Sequence, residues 1–191
     1  MATPASSEST RRTQLLDAAY AYVLDNGISD LTLRPLASAI GSSPRVLLYL
    51  FGSKDGLVRE LLARARTEEL ALLDALSERR PSRGLADCVD ALWAWLADVQ
   101  HRRLLTLWVE SYARSLIEPR GPWRDFARQT VDDWLDILAG VQPHGRRKSA
   151  AGRAERTLAV AVLRGSLLDL LATGESERVG VGVRAFAASL R

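Results

Sequence analysis

A chain of 191 residues, 47% hydrophobic and 26% charged, is long enough for one generous core or two small ones and too apolar to be disordered. One cysteine, Cys88, and two histidines, His101 and His144, leave too few soft ligands for a zinc or iron–sulfur site and exclude an internal disulfide, so neither metal nor cofactor is expected. The net charge of +3 identifies no partner, because residues 1–60 hold six Arg/Lys against six Asp/Glu and the excess falls in residues 61–191, with 20 against 17.

The first residues, Met1 to Thr10, are small and polar with no apolar run of a leader; residues 1–9 read as a disordered tail. No apolar run reaches the roughly 18 residues of a membrane span, so a cytoplasmic protein without membrane contact is expected. In Arg11 to Asn26 the set Leu15, Ala18, Ala19, Tyr22, Val23 follows helical spacing, and Asn26-Gly27 stops it. Leu33 to Ile40 forms a second, short helix ending at Gly41, and Arg45 to Leu50 a third ending at Phe51-Gly52. Ser53 caps a longer helix, Lys54 to about Glu78, which Pro81-Ser82-Arg83-Gly84 breaks. Further marks at His101, at Glu118 to Pro122, at Pro143-His144-Gly145 and at Thr173-Gly174 leave room for five more helices. With no apolar alternation of period two and no repeat, the chain reads as all-α.

The helix macrodipole favours acids in a first turn by roughly 0.3–1 kcal/mol each. Here Thr10 is followed by Arg11 and Arg12, Thr32 by Arg34, Ser43 by Arg45 and Ser53 by Lys54. Four successive helix starts thus pair a capping hydroxyl with a cation, which is unfavourable unless an anion lies against them; a phosphate backbone supplies one. Two short helices joined by a tight turn must cross closely, which Ala37 and Gly41 permit, while Leu36, Ile40, Leu47 and Leu50 face inward. Pro44 is a good first helical residue because its φ is preset. Ser42, Ser43, Pro44, Arg45 and Tyr49 are then available to a major groove, with Arg45 able to read guanine O6 and N7. A phosphate contact or an internal ion pair is the alternative for Arg45, and half-burial against the preceding helix is the alternative for Tyr49.

The stretch from Leu31 through Thr32, Arg34, Ala37, Gly41, Ser43-Pro44-Arg45 and Tyr49-Leu-Phe-Gly-Ser-Lys-Asp-Gly-Leu57 resembles the DNA-binding region of the TetR family of transcriptional regulators, especially its actinobacterial-type branch. The resemblance implies an N-terminal helix-turn-helix domain, a larger helical domain that binds a small-molecule effector, and a homodimer on double-stranded DNA at a palindromic operator. It places Thr32, Tyr49 and Lys54 at phosphate contacts and Ser43, Pro44 and Arg45 at the base-reading end of the recognition helix. Two departures stand out: the commoner pattern has Gly where Arg45 stands and Tyr-His where Leu48-Tyr49 stand. The expected division is a helix-turn-helix domain over 10–53 and an effector and dimerisation domain over 54–191.

In the C-terminal two thirds, Thr157 to Ala172 is apolar on every face and needs burial on every face. Small residues including Gly165 keep one surface low, and Val179, Val183, Phe186, Ala187 and Leu190 recur at helical spacing in the last segment. An intersubunit four-helix bundle, with Leu158, Val162, Gly165, Asp169, Val183 and Phe186 in the interface, absorbs this surface; an internal central helix is the alternative. Arg164 and Asp169 do not face each other along one helix, and an intersubunit ion pair or a pocket contact would account for either. All five tryptophans lie between residues 93 and 134. Trp93, Trp108, Tyr112 and Trp134 are candidates to line an effector pocket, with ordinary core packing as the alternative. Glu110 reads as half of a solvated pair with Arg114, four residues on. An enzyme would need a nucleophile–base pair or paired acids, and no such ordering is found. The expected function is a ligand-responsive repressor; a DNA-binding regulator whose C-terminal domain docks a protein partner is the rival.

Overall fold

A computed structural model of the chain describes residues 4–79, 84–118 and 120–191, and every element among them is helical. The chain divides into two compact units, one formed by residues 1–68 and 107–127, the other by residues 69–106 and 128–191. The unit boundaries, at 68/69, 106/107 and 127/128, fall inside three helices.

The first unit contains α1 (Pro4–Asn26), α2 (Leu33–Ala39), α3 (Pro44–Phe51), α4 (Lys54–Arg79) as far as Glu68, and α6 (Arg102–Ile117) from Leu107 onward. Its core is built by the helical periodicity of these segments: Leu15, Ala19, Val23, Ile28, Leu36, Leu47, Leu57, Val58 and Leu61 are all buried. Each fully buried aliphatic side chain contributes roughly 1.5–3 kcal/mol, so this face fixes the small helices against the long ones. Arg12 reaches over the core rim: it donates to Glu60 and to the Leu50 carbonyl, and its guanidinium lies 5.2 Å from the Phe51 ring centroid. Arg64 pairs with Asp17 at 3.5 Å and lies 5.2 Å from the Tyr20 ring. Acids and bases on α1 and α4 thus neutralise one another, with Arg12 also reaching the end of α3.

One helix start departs from the sequence expectation. α1 begins at Pro4, not beside Thr10, and of the expected disordered tail residues 4–9 are helical while 1–3 lie outside the described residues. Proline is well tolerated at a first helical position, and Ala5 to Ser9 contain no breaker after it. Arg11 and Arg12 consequently sit inside a helix and not at its beginning.

The second unit contains the rest of α4, α5 (Leu85–Leu96), a 3₁₀ turn at Val99–His101, the first residues of α6, α7 (Phe126–Gly140) from Arg128, α8 (His144–Lys148), α9 (Ala150–Thr173) and α10 (Ser176–Ser189). α5 packs against α9 and α10, and Val89, Leu92, Leu96, Ala159, Leu163, Leu167, Val183 and Ala187 close the core among them. The expected turn at Pro143-His144-Gly145 is instead the entry to α8, an element absent from the expected series. A buried polar network holds it: Arg156 donates to Gln142 Oε1 and, at 3.2 Å, to the Arg147 carbonyl, while Gln142 Nε2 donates to the Gly152 carbonyl at 3.2 Å and Glu155 at 3.1 Å. With both Gln142 and Arg156 buried and satisfied, the network avoids the penalty of about 1–3 kcal/mol that each unpaired polar group would carry. No described helix is long and apolar enough to cross a membrane.

Candidate nucleic-acid interface

α2 and α3 are joined by four residues, Ile40 to Ser43, and the turn closes through the Ser42 N–H donating to the Ala37 carbonyl at 2.8 Å. Gly41 adopts φ +62°, a left-handed conformation that glycine takes without a Cβ penalty. Ala37, a small residue, is buried on α2. This is the geometry of a helix-turn-helix.

The three helix starts in this region share a construction. Thr32 is the N-cap of α2 with an extended backbone, and its hydroxyl makes no capping bond. Ser43 caps α3, accepting the Val46 N–H at 3.3 Å, and Pro44 takes the first helical position. Ser53 caps α4, accepting the Gly56 N–H at 2.9 Å. The local sequence explains why α4 begins so close to the end of α3. A Cβ on Gly56 would lie 2.1 Å from the Phe51 carbonyl oxygen, so only glycine lets the two helix ends meet. Gly52 donates to the Leu48 carbonyl at 2.9 Å and closes α3, and the Ser53 N–H donates to the Phe51 carbonyl at 2.9 Å. The motif from Phe51 to Leu57 is therefore a compact helix-to-helix joint.

Arg34, Arg45 and Lys54 occupy the first or second position of α2, α3 and α4, and all three are exposed. None makes a hydrogen bond or ion pair with another described residue. Neither α2 nor α3 has an acid in its first turn, and α4 has Asp55 beside Lys54, so the cations of α2 and α3 stand against the positive end of a helix with no local carboxylate to offset them. Tyr49 is 74% exposed, so it is not folded back on α2. Arg11, the remaining candidate in this region, is exposed on α1 away from any helix start.

Sequence reasoning missed how this unit is held together behind the short helices. The Glu110 carboxylate accepts the backbone N–H groups of Ile28 at 3.1 Å and Ser29 at 2.7 Å. Arg114 donates to the Ser29 hydroxyl at 3.1 Å and carbonyl at 3.2 Å, and also pairs with Glu118. The expected solvated pair between Glu110 and Arg114 is replaced by a joint grip on the α1–α2 loop. The Ile28 and Ser29 N–H groups lie past the end of α1 and have no helical acceptor, and the carboxylate that takes them is too distant in sequence to be read from spacing. A cavity of about 240 Å³ lies alongside, lined by Ser29, Lys54, Val58, Arg114 and Trp123 among others.

The four aromatic candidates for an effector pocket do not come together within one unit. Trp108 and Tyr112 stack on each other at 5.1 Å in the first unit, whereas Trp93 and Trp134 belong to the second. Trp93 Nε1 lies 3.1 Å from where a Cβ on Gly180 would sit, so this ring packs at the crossing of α5 and α10. Trp134 donates to Glu69 at 2.9 Å, a buried carboxylate that sequence reasoning passed over. Its position four after Ala65 put it on the buried face of α4 and was the available signal. A second concavity, about 200 Å³ and lined by Leu96, Asp98, Val99, Arg102, Leu105 and Leu171 among others, includes none of the four aromatics.

Among the candidate interface residues, Leu158 is 53% exposed, and nothing lies within 4 Å of the Cβ position of Gly165. With Ala161, Leu168 and Ala172 they form an exposed stripe of small and aliphatic residues along α9. Val162 and Phe186 are half-buried. Val183 is fully buried within its own unit, so its apolar surface is already spent on the α5–α9–α10 core. Asp169 pairs with Arg178 of the same chain, at 2.6 and 2.9 Å. Thr173 adds a hydrogen bond, and these contacts hold the Asp169 carboxyl below its ordinary value, the Arg178 bonds being the main cause.

An all-α chain with a helix-turn-helix and unpartnered cations at successive helix starts presents a surface suited to a polyanion such as nucleic acid. Residues 15–61 match the model of the N-terminal domain of the tetR family of bacterial regulatory proteins. A curated relative, the HTH-type transcriptional regulator BetI of Cronobacter sakazakii, is 28% identical over 115 residues, covering 58% of this chain. The match spans 55% of that relative's length. A transcriptional regulator from Rhodococcus sp. Rha1 has the same fold, with a TM-score of 0.76, 18% identity, and coverage of 94% of this chain and 95% of that one. The multidrug binding protein EbrR, solved in complex with proflavin, aligns with a TM-score of 0.63 and 23% identity over 92% of this chain and 99% of its own.

Proposed function

We propose that the chain acts as a homodimeric repressor on a palindromic operator and leaves it when a small effector binds. The observation that carries this reading is the set of exposed, unpartnered cations, Arg34, Arg45 and Lys54, each beside a hydroxyl N-cap in the helix-turn-helix region. Thr32, Tyr49 and Lys54 serve the phosphates, and Ser43, Pro44 and Arg45 the base edges. The exposed stripe of Leu158, Gly165 and Leu168 supports dimerisation through α9, since a surface of this kind is stable when a second copy covers it.

Effector control is supported by the likeness to EbrR, whose complex with proflavin shows a small molecule held on this fold. α6 provides the covalent route for such control. Its first residues belong to the second unit, and its later residues Glu110 and Arg114 grip the Ile28-Ser29 loop ahead of α2. A ligand that favours a different setting of α6 shifts the recognition helices, by no more than its differential affinity for the two settings.

Selection of bound fragments from genomic DNA, followed by footprinting, tests the reading. The expected result is an inverted repeat with half-sites about one helical turn apart, occupied by two chains. A single asymmetric site holding one chain would overturn it.

A further inference from the structure

α3 is eight residues long and carries no acidic side chain. At about 100° per residue, its side chains divide into two arcs. Leu47 and Phe51 point inward and are buried, whereas Leu48, Arg45, Tyr49 and Val46 follow one another around the outer arc. Two of these four are aliphatic and still open to solvent, Leu48 at 43% and Val46 at 38%. Neither belongs to the buried core, and each leaves more than a third of its surface open to solvent. The cationic centre of the arc and the flanking aliphatics describe a surface with a definite complement.

We propose that α3 reads its operator half-site as guanine flanked by thymines, with Arg45 on guanine O6 and N7 and with Val46 and Leu48 against thymine 5-methyl groups. This assignment rests on the reading of α3 as the recognition helix. The major-groove edge of guanine offers two acceptors that match the guanidinium fork, and the thymine methyl is the one apolar group that groove presents. Around the helix, Leu48 lies on the side of Arg45 opposite to Tyr49, and Val46 lies beyond Tyr49, so the two apolar contacts bracket the polar pair. The absence of an acid on α3 disfavours contacts to the cytosine amino group, which needs an acceptor.

The test uses the full-length chain and a duplex recovered from genomic fragments. Each thymine of the half-site is replaced in turn by deoxyuridine, which removes the 5-methyl group and keeps base pairing, and each guanine by 7-deazaguanine. Wild type is expected to lose about 3- to 5-fold in affinity at each contacted thymine and about 5-fold or more at one guanine. Val46→Ala and Leu48→Ala each lose the sensitivity to one thymine methyl, and Arg45→Ala loses the sensitivity to 7-deazaguanine; all three positions are exposed, so folding is retained. Binding by wild type that no deoxyuridine substitution weakens overturns the thymine assignment without reference to any variant. Indifference to every 7-deazaguanine overturns the guanine assignment. Recovery of no duplex at all overturns the DNA reading itself, and this assignment with it.

Discussion

The Glu110 carboxylate accepts the Ser29 backbone N–H at 2.7 Å, across 81 residues of sequence, and takes the Ile28 N–H with its other oxygen. Two charge-assisted bonds to backbone donors fix the loop between α1 and α2, and with it the approach to the helix-turn-helix. Glu110→Ala leaves both N–H groups without a protein acceptor. It is expected to destabilise the chain by about 1–3 kcal/mol, measured by chemical denaturation. A variant as stable as wild type contradicts the grip.

Gly56 is held to glycine by the Phe51 carbonyl, which a Cβ would meet at 2.1 Å. Gly56→Ala forces the end of α3 away from the start of α4, at an expected cost of about 1–3 kcal/mol. Because Ser53 and Lys54 move with that joint, DNA affinity falls by more than the loss of stability explains. Denaturation and binding measured on the same variant separate the two effects, and unchanged affinity contradicts the assignment of α4's start to the interface.

Asp169 is paired with Arg178, and its carboxyl titrates below the ordinary 3.8 of an aspartate. In the pH range between the folded and unfolded values, the unfolded chain binds more protons, so stability rises with pH there. The contribution is present above the ordinary value and is lost as the pH falls through the folded one. Asp169→Asn is therefore expected to lower Tm at neutral pH, with the gap to wild type narrowing as the pH is taken below 3.8. A gap that persists unchanged in acid contradicts the ion-pair account.

The α9 stripe gives a further prediction. Leu158→Arg places a charge on a residue that is 53% exposed in the single chain, so the fold is kept. In the dimer the same charge is desolvated without a partner, which costs several kcal/mol. Sedimentation equilibrium is expected to show a dimer for wild type and a monomer for the variant, with operator binding weakened accordingly. A dimeric variant contradicts the placement of the interface on α9.

The helix-turn-helix was legible in the sequence to within a residue because local chemistry sets its limits. Glycine at the turn, proline at the first position of α3 and hydroxyl caps on α3 and α4 act over three or four residues, which is the range a sequence displays. The start of α1 was not legible, since Pro4 to Ser9 carry neither a strong cap nor apolar periodicity and the helix extends through them. The roles of Glu110, Trp93 and Trp134 were hidden for another reason. Their partners, the Ser29 backbone, Gly180 and Glu69, lie far along the chain, and long-range packing chose them. Val183 illustrates the same limit, as helical spacing marked it apolar without telling which side of the bundle would claim it.

The central claim is that cations at successive helix starts hold a phosphate backbone. The affinity of wild type and Lys54→Ala for one recovered duplex, measured over a series of salt concentrations, tests it most directly. Loss of one phosphate contact is expected to flatten the log–log salt slope by about 0.9 and to weaken binding to unrelated duplexes as well. Identical slopes for the two proteins would contradict the account.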